Sequence, residues 1–140
     1  MLLIEDNDVE RRRLVDLIGK TGLQVVATSS GDEGLAILTT ARGPRERPFD
    51  AVVLDLVMPG TSGLDVLRAA AADERLAALP FVVVSAMYMT RTERDVLGRQ
   101  VIAVVRKGDG TGDELRAGLR RALTARQNGD ERLSAPRQLH

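Results

Sequence analysis

Ala51-Val52-Val53-Leu54-Asp55-Leu56-Val57-Met58-Pro59-Gly60-Thr61-Ser62-Gly63 begins as an apolar run and ends in loop-forming residues. The run Ala51 to Leu54 suits a strand in the middle of a parallel sheet, where both faces are covered and no polar alternation is needed. It delivers one carboxylate, Asp55, to the strand's C-terminal end. Pro59-Gly60 and then Gly63 predict a loop and a helix entry. In open α/β sheets, ligands bind outside the C-terminal ends of the strands. Taken alone, Asp55 is equally readable as the start of a turn; its surroundings decide.

Upstream, Met1-Leu2-Leu3-Ile4 is a second apolar run, too short for a helix, and it ends in Glu5-Asp6-Asn7-Asp8. Val9, Leu14, Leu17 and Ile18 predict one helix face, capped by Asn7 or Asp8 and stopped by Gly22. Arg11-Arg12-Arg13 lies within that helix and reads as a solvated outer face. Gln24 to Thr28 predicts a strand. Ser30 caps a second helix, with Glu33 completing a capping box and Leu35 and Leu38 facing inward. Arg42 to Pro48 reads as an exposed connection.

Downstream, a helix is expected from about Gly63 to Ala72 with Leu64 and Leu67 inward, then an irregular turn over Asp73 to Leu79. Phe81 to Ser85 and Val101 to Val105 are strands. Between them Thr92 to Gly98 predicts a weak helix with Val96 and Leu97 as its large apolar anchors. Gly108 to Gly112 is a loop, and Asp113 to Arg126 the last helix, with Leu115, Leu119 and Ala122 at helical spacing. Residues 127–140 are polar, contain Gly129 and Pro136, and read as a disordered tail, leaving 1–126 as one domain. Five strands alternating with five helices predict βαβ units with right-handed crossovers, hence an α/β, doubly wound, five-stranded parallel sheet.

Composition narrows the function. The 140 residues suit one domain with a sizeable core, 44% hydrophobic but only 2% aromatic, so the core must be aliphatic. Twenty basic and twenty acidic residues cancel, giving no overall field to draw in nucleic acid or an anionic membrane. Without cysteine there is no disulfide or thiolate chemistry. The single histidine, His140, is the last residue and carries no assigned role. No apolar run approaches the ~18 residues of a membrane span, and no signal peptide is visible.

The strand ends bring Glu5, Asp6, Asp55, Ser85 and Lys107 to one rim. Side-by-side carboxylates repel and call for a cation, and hard oxygen donors suit Mg²⁺. A lysine beside them is a point charge suited to a phosphoryl oxygen, and a hydroxyl can donate to the same group. Phosphoryl transfer asks for positioning, metal and fixed positive charge. Asp55, flanked by the other groups, is the best nucleophile.

Leu3-Ile4-Glu5-Asp6-Asn7, Asp55-Leu56-Val57-Met58-Pro59 with Gly63, Val84-Ser85-Ala86 and Lys107 together resemble the receiver domain of bacterial two-component response regulators, over roughly residues 1–126. The resemblance implies the flavodoxin-like strand order 2-1-3-4-5. It implies that Asp55 accepts a phosphoryl group from a histidine kinase or histidine phosphotransfer domain. Glu5, Asp6, Asp55 and the backbone carbonyl of Val57 would hold Mg²⁺, Lys107 would contact the phosphoryl group, and Ser85 would turn toward it. Such a domain is cytoplasmic, contacts no nucleic acid or membrane directly, and controls a downstream partner or attached domain. It is not an enzyme in the ordinary sense, but catalyses its own phosphorylation and dephosphorylation.

Three positions depart from the family pattern: Gly108 replaces the proline after the lysine, Val104 replaces an aromatic residue, and Val57 is apolar. Val104 is too stiff and small to swing between states, so the conformational response is expected in Ser85 and in 86–91, around Tyr88. Lys107 is expected to matter for the phosphoryl group and little for stability. The first strand begins at Met1 and Arg106-Lys107-Gly108 is followed by Thr111, which together suggest a domain of a longer chain, such as a hybrid sensor kinase. A haloacid-dehalogenase-like phosphatase is the alternative enzyme, but it would carry a second acid where Val57 stands. A pseudo-receiver serving only for docking would have broken acidic or lysine positions.

Overall fold

The computed structural model describes residues 1–40, 49–58, 60, 62–86 and 90–134, and side chains over the same residues except 93, 96 and 126–134. The strands are β1 (Leu2–Ile4), β2 (Val26–Thr28), β3 (Val52–Asp55), β4 (Phe81–Ser85) and β5 (Val101–Arg106). The helices are α1 (Asp8–Gly19), α2 (Gly31–Thr39), α3 (Gly63–Ala72), α4 (Arg91–Val96) and α5 (Thr111–Ser134). All neighbouring strands pair in parallel, in the order β2-β1-β3-β4-β5. This is the flavodoxin-like order expected from the sequence. None of the described helices is long and apolar enough to cross a membrane.

The continuous apolar strands follow from a sheet covered on both faces. Leu2, Ile4, Val52, Leu54, Phe81 and Val83 pack with Leu38 of α2 and Val66, Leu67 and Ala70 of α3. Alternate residues Leu3, Val53, Val82, Val84, Ala103 and Val105 pack with Leu14 and Ile18 of α1 and Leu115, Leu119 and Ala122 of α5. Each fully buried Leu, Ile or Val contributes about 1.5–3 kcal/mol relative to exposure.

Several expectations are corrected at the helix ends. Val9 is 71% exposed and Leu64 also faces solvent. Both lie in the first helical turn, beyond the strand ends, where no sheet surface remains to pack on. The capping box forms at α3, where Asp65 N donates to Ser62 Oγ and Ser62 N to Asp65 Oδ2, at 3.3 and 3.0 Å. Ser30 does cap α2, but Glu33 turns to the amide and hydroxyl of Ser29, which offers two donors. α5 starts at Thr111 and continues past Arg126 to Ser134. Residues 127–134 are therefore helical: Gln127, Glu131, Arg132 and Leu133 favour helix, and no proline intervenes before Pro136. Residues 135–140, the connection Arg42 to Pro48, and Pro59, Thr61 and Tyr88 lie outside the described residues, as does the side chain of Val96.

One glycine sets how closely α3 approaches the end of β3. A Cβ at Gly63 would sit 2.6 Å from the Asp55 carbonyl oxygen and 2.7 Å from Leu56 Cα. Backbone cannot yield as a flexible side chain can. Gly63→Ala is expected to destabilise the domain by about 1–3 kcal/mol. The midpoint of urea unfolding should fall with the slope unchanged; an unchanged midpoint would refute the close approach.

Candidate functional site

Glu5 follows the last residue of β1, and its amide donates to the Thr28 carbonyl at 3.1 Å. Its side chain is fully buried. Asp6, the next residue, is half-buried. Asp55 ends β3 and is 5% exposed; its Oδ1 accepts from the Val57 amide at 3.2 Å. Ser85 ends β4 and is buried. Its carbonyl accepts from the Lys107 amide at 2.8 Å, tying β4 to the residue that follows β5.

Lys107 Nζ donates to Glu5 Oε1 at 2.9 Å and to Asp55 Oδ2 at 3.4 Å. Its side chain is 16% exposed. One ammonium thus bridges two buried carboxylates, and carboxylate oxygens of Glu5, Asp6 and Asp55 lie within 4.8 Å of one another. Burial pushes Glu5 up from its ordinary 4.5 to about 8, helped by the hydrogen bond and charge it shares with Asp55 and opposed by Lys107. Burial alone would pull Lys107 down, but its hydrogen bond to Glu5 and the charges of Asp55 and Glu5 outweigh it and hold its pKa above the usual value. Glu5 Oε2 is buried with no hydrogen-bond partner among the described residues. An orphaned carboxylate oxygen among converging hard donors fits a divalent cation such as Mg²⁺, for which Glu5, Asp6 and Asp55 are the available side-chain ligands.

The structure therefore gathers Glu5, Asp6, Asp55 and Lys107, and places Ser85 one backbone hydrogen bond away. Val57 reaches Asp55 through its amide, while its side chain is 62% exposed. Val104 is partly buried against the layer formed with α2 and α3. Gly108 has φ +152°, a conformation that a proline, fixed near −65°, cannot take. Thr111 Oγ accepts from the Gly108 amide at 2.7 Å, and lies 3.0 Å from the Arg106 carbonyl and 2.7 Å from that of Gly108, between which it shares its proton.

Two arginines read as solvated surface are bound to this region. Arg11 Nη1 donates to the carbonyls of Glu5 and Asp6 at 3.1 and 3.3 Å, and Nη2 pairs with Asp8. Arg13 Nη2 donates to the Gly108 carbonyl at 2.9 Å. The sequence does hold a signal for Arg11: with Leu14 and Ile18 it falls on the inward stripe at three- and four-residue spacing.

Residues 1–120 match the response regulator receiver domain family. The chain belongs to that family. It is 33% identical over 85 residues to Protein PilH of Pseudomonas aeruginosa, covering 61% of this chain and 65% of PilH. It is 30% identical over 96 residues to the polar-differentiation response regulator DivK of Brucella ovis, covering 69% of this chain and 73% of DivK. The chain thus spans roughly two thirds of the length of these relatives. Among solved structures, response regulator TrrA of Thermotoga maritima, determined in complex with Mg²⁺-BeF, superposes with TM-score 0.72 at 23% identity, over 87% of this chain and 96% of that one.

Within this receiver, Lys107 lies against two buried acids, and on that geometry a contribution to stability is expected beside the one at the phosphoryl group. Lys107→Ala leaves Asp55 without its cation and Glu5 without a hydrogen-bond donor, and should destabilise the metal-free protein by on the order of 1–3 kcal/mol at neutral pH. Equal urea midpoints for variant and wild type would count against the bridge.

The raised Glu5 pKa has a definite sign. Between about 4.5 and 8 the folded protein retains a proton on Glu5 that the unfolded chain has lost. That contribution is fully present below pH 4.5 and is lost as pH rises through about 8. In EDTA, wild-type stability should fall across this window relative to Glu5→Gln. Parallel pH profiles for the two proteins would overturn the assignment.

Proposed function

We propose that this receiver domain accepts a phosphoryl group on Asp55 from a phosphohistidine of a histidine kinase or phosphotransfer domain. The observation that carries the reading is the Lys107 bridge between Glu5 and Asp55 inside a cluster of three carboxylates. An Asp55 carboxylate oxygen attacks phosphorus in line. The new P–O bond forms as the P–N bond breaks, and the electron pair returns to the imidazole nitrogen, which takes a proton. Lys107 already lies against the receiving carboxylate, so its ammonium meets the phosphoryl oxygens with little movement, and Ser85 donates its hydroxyl to one of them. Glu5, Asp6, Asp55 and the Val57 carbonyl would hold Mg²⁺, which when bound supplies positive charge to the phosphoryl oxygens.

The conformational response then controls a downstream partner or attached domain in the cytoplasm. Ser85 makes the first move, since a change of rotamer suffices, and Val104 stays passive because its branched side chain is stiff. Tyr88, expected to take part, lies outside the described residues. A phosphatase lacks its second acid, because Val57 occupies that position.

The test is intact mass after incubation with Mg²⁺ and acetyl phosphate. Wild type should gain one phosphoryl group, and both Asp55→Asn and wild type in EDTA none. An equal adduct on Asp55→Asn would place the phosphoryl group elsewhere and refute the reading.

A further inference from the structure

We propose that α1 braces the acidic site through two arginines acting on opposite sides of it: Arg11 positions the cation ligand Asp6, and Arg13 positions Lys107. The inference rests on the phosphoacceptor reading for its functional consequence. The brace itself rests on hydrogen bonds.

Arg11 Nη1 holds the carbonyls of Glu5 and Asp6. These belong to the two peptide planes that flank the Asp6 Cα. Because each peptide is planar, fixing both carbonyls fixes φ and ψ of Asp6 and with them the direction of its Cα–Cβ bond. Asp6 is the one acid of the cluster that is not fully buried, so packing does least to hold it. Arg11 is itself restrained: its side chain is 22% exposed and its second nitrogen pairs with Asp8. A single nitrogen spanning two successive carbonyls is a geometric clamp, not a diffuse surface charge.

Arg13 lies one face round the helix, toward α5, where Leu17 approaches Gly112. Its guanidinium donates to the Gly108 carbonyl, the first peptide plane beyond Lys107 and Gly108. Gly108 carries a positive φ and no side chain, so nothing intrinsic restrains the turn. The turn is pinned by Thr111 from within α5 and by Arg13 from α1. Releasing the α1 pin lets Lys107 wander from Glu5 and Asp55. Arg13 is 42% exposed, so this contact adds little to global stability. Arg12, between the two, is exposed and serves as the internal control.

The division of labour predicts a split between binding and rate. Arg11→Met should weaken calorimetric Mg²⁺ affinity about tenfold, the lower end for outer-shell partners of metal ligands, while the acetyl phosphate rate at saturating Mg²⁺ stays within about twofold. Arg13→Met should do the reverse, with Mg²⁺ affinity within about twofold and the saturating rate lowered about fivefold, roughly the worth of one ordinary hydrogen bond. Arg12→Met should match wild type in both. Arg11→Lys, which keeps the charge and one donor nitrogen, guards against a folding defect and should lose less affinity than Arg11→Met.

Backbone ¹⁵N relaxation in EDTA reads the brace without metal or phosphate. Arg11→Met should lose order at Asp6 alone, and Arg13→Met at Gly108 alone. If Arg11→Met binds Mg²⁺ as Arg12→Met does, or if neither variant loses order, the brace is overturned. If wild type binds no Mg²⁺ and takes no phosphoryl group while the relaxation pattern appears, the phosphoacceptor reading fails and the brace stands.

Discussion

The Lys107 ammonium between Glu5 and Asp55 is the contact on which the rest depends. Two buried carboxylates repel strongly in a medium of low effective dielectric. One lysine cannot neutralise both, and Asp6 adds a third negative group to the cluster. Burial, which penalises the charged form, keeps a proton on Glu5 in the metal-free domain and lifts that carboxyl to about 8, with Asp55 adding to the shift and Lys107 opposing it. The proton is a placeholder for positive charge. A divalent cation held there would deliver more of it to the same oxygens, including Glu5 Oε2, which has no hydrogen-bond partner among the described residues.

The sheet makes this charge arrangement possible. In the order β2-β1-β3-β4-β5 the acids sit at the ends of adjacent strands β1 and β3, and Lys107 follows β5 at the edge. To reach Glu5 it must cross the ends of β4 and β3; at β4 the small residue Ser85 stands, and its carbonyl accepts from the Lys107 amide. The two hydrophobic layers, aliphatic apart from Phe49 and Phe81, hold these strand ends in place, and Gly63 lets α3 start directly against the backbone that follows Asp55. Packing on both faces thus fixes the polar rim, although no residue of the packing touches the chemistry.

The strands and the acidic rim were legible because each is a local pattern: a short aliphatic run that ends in a charged or hydroxyl side chain. Phe81–Ser85 came out with the bounds that its composition suggests. What was not legible depends on where elements meet. Val9 and Leu64 continue the apolar rhythm of their helices but lie past the edge of the sheet, and periodicity carries no information on where the sheet stops. Ser30-x-x-Glu33 has the spacing of a capping box, yet a neighbouring serine with two donors took the carboxylate. The polar composition of 127–134 suggested a tail, while helix propensity prevailed. Arg13 looked like solvent-facing charge because its partner beyond α1 is a backbone carbonyl, which no side-chain pattern can announce, whereas Arg11 shares the inward stripe of Leu14 and Ile18 and only its carbonyl partners were hidden.

On the proposed chemistry, the site couples phosphorylation to the cation through shared charge. A phosphoryl group brings on the order of −1.5 to −2 charges, against one lysine. As Lys107 turns to the phosphoryl oxygens it relinquishes Glu5, whose buried carboxyl must then keep its proton or exchange it for a cation. A cation already held by Glu5 and Asp6 removes that conflict, so cation and phosphoryl group each favour the other's binding, by equal free energies. The arginines on α1 enter the same balance from outside. They add no charge to the phosphoryl group, but they hold the two loops that present the ligand and the lysine. On that proposal the β1–α1 and β5–α5 loops would act as parts of one rigid rim, and a local change of charge would be felt at the ends of β4 and β5, where Ser85 and Lys107 share a backbone hydrogen bond.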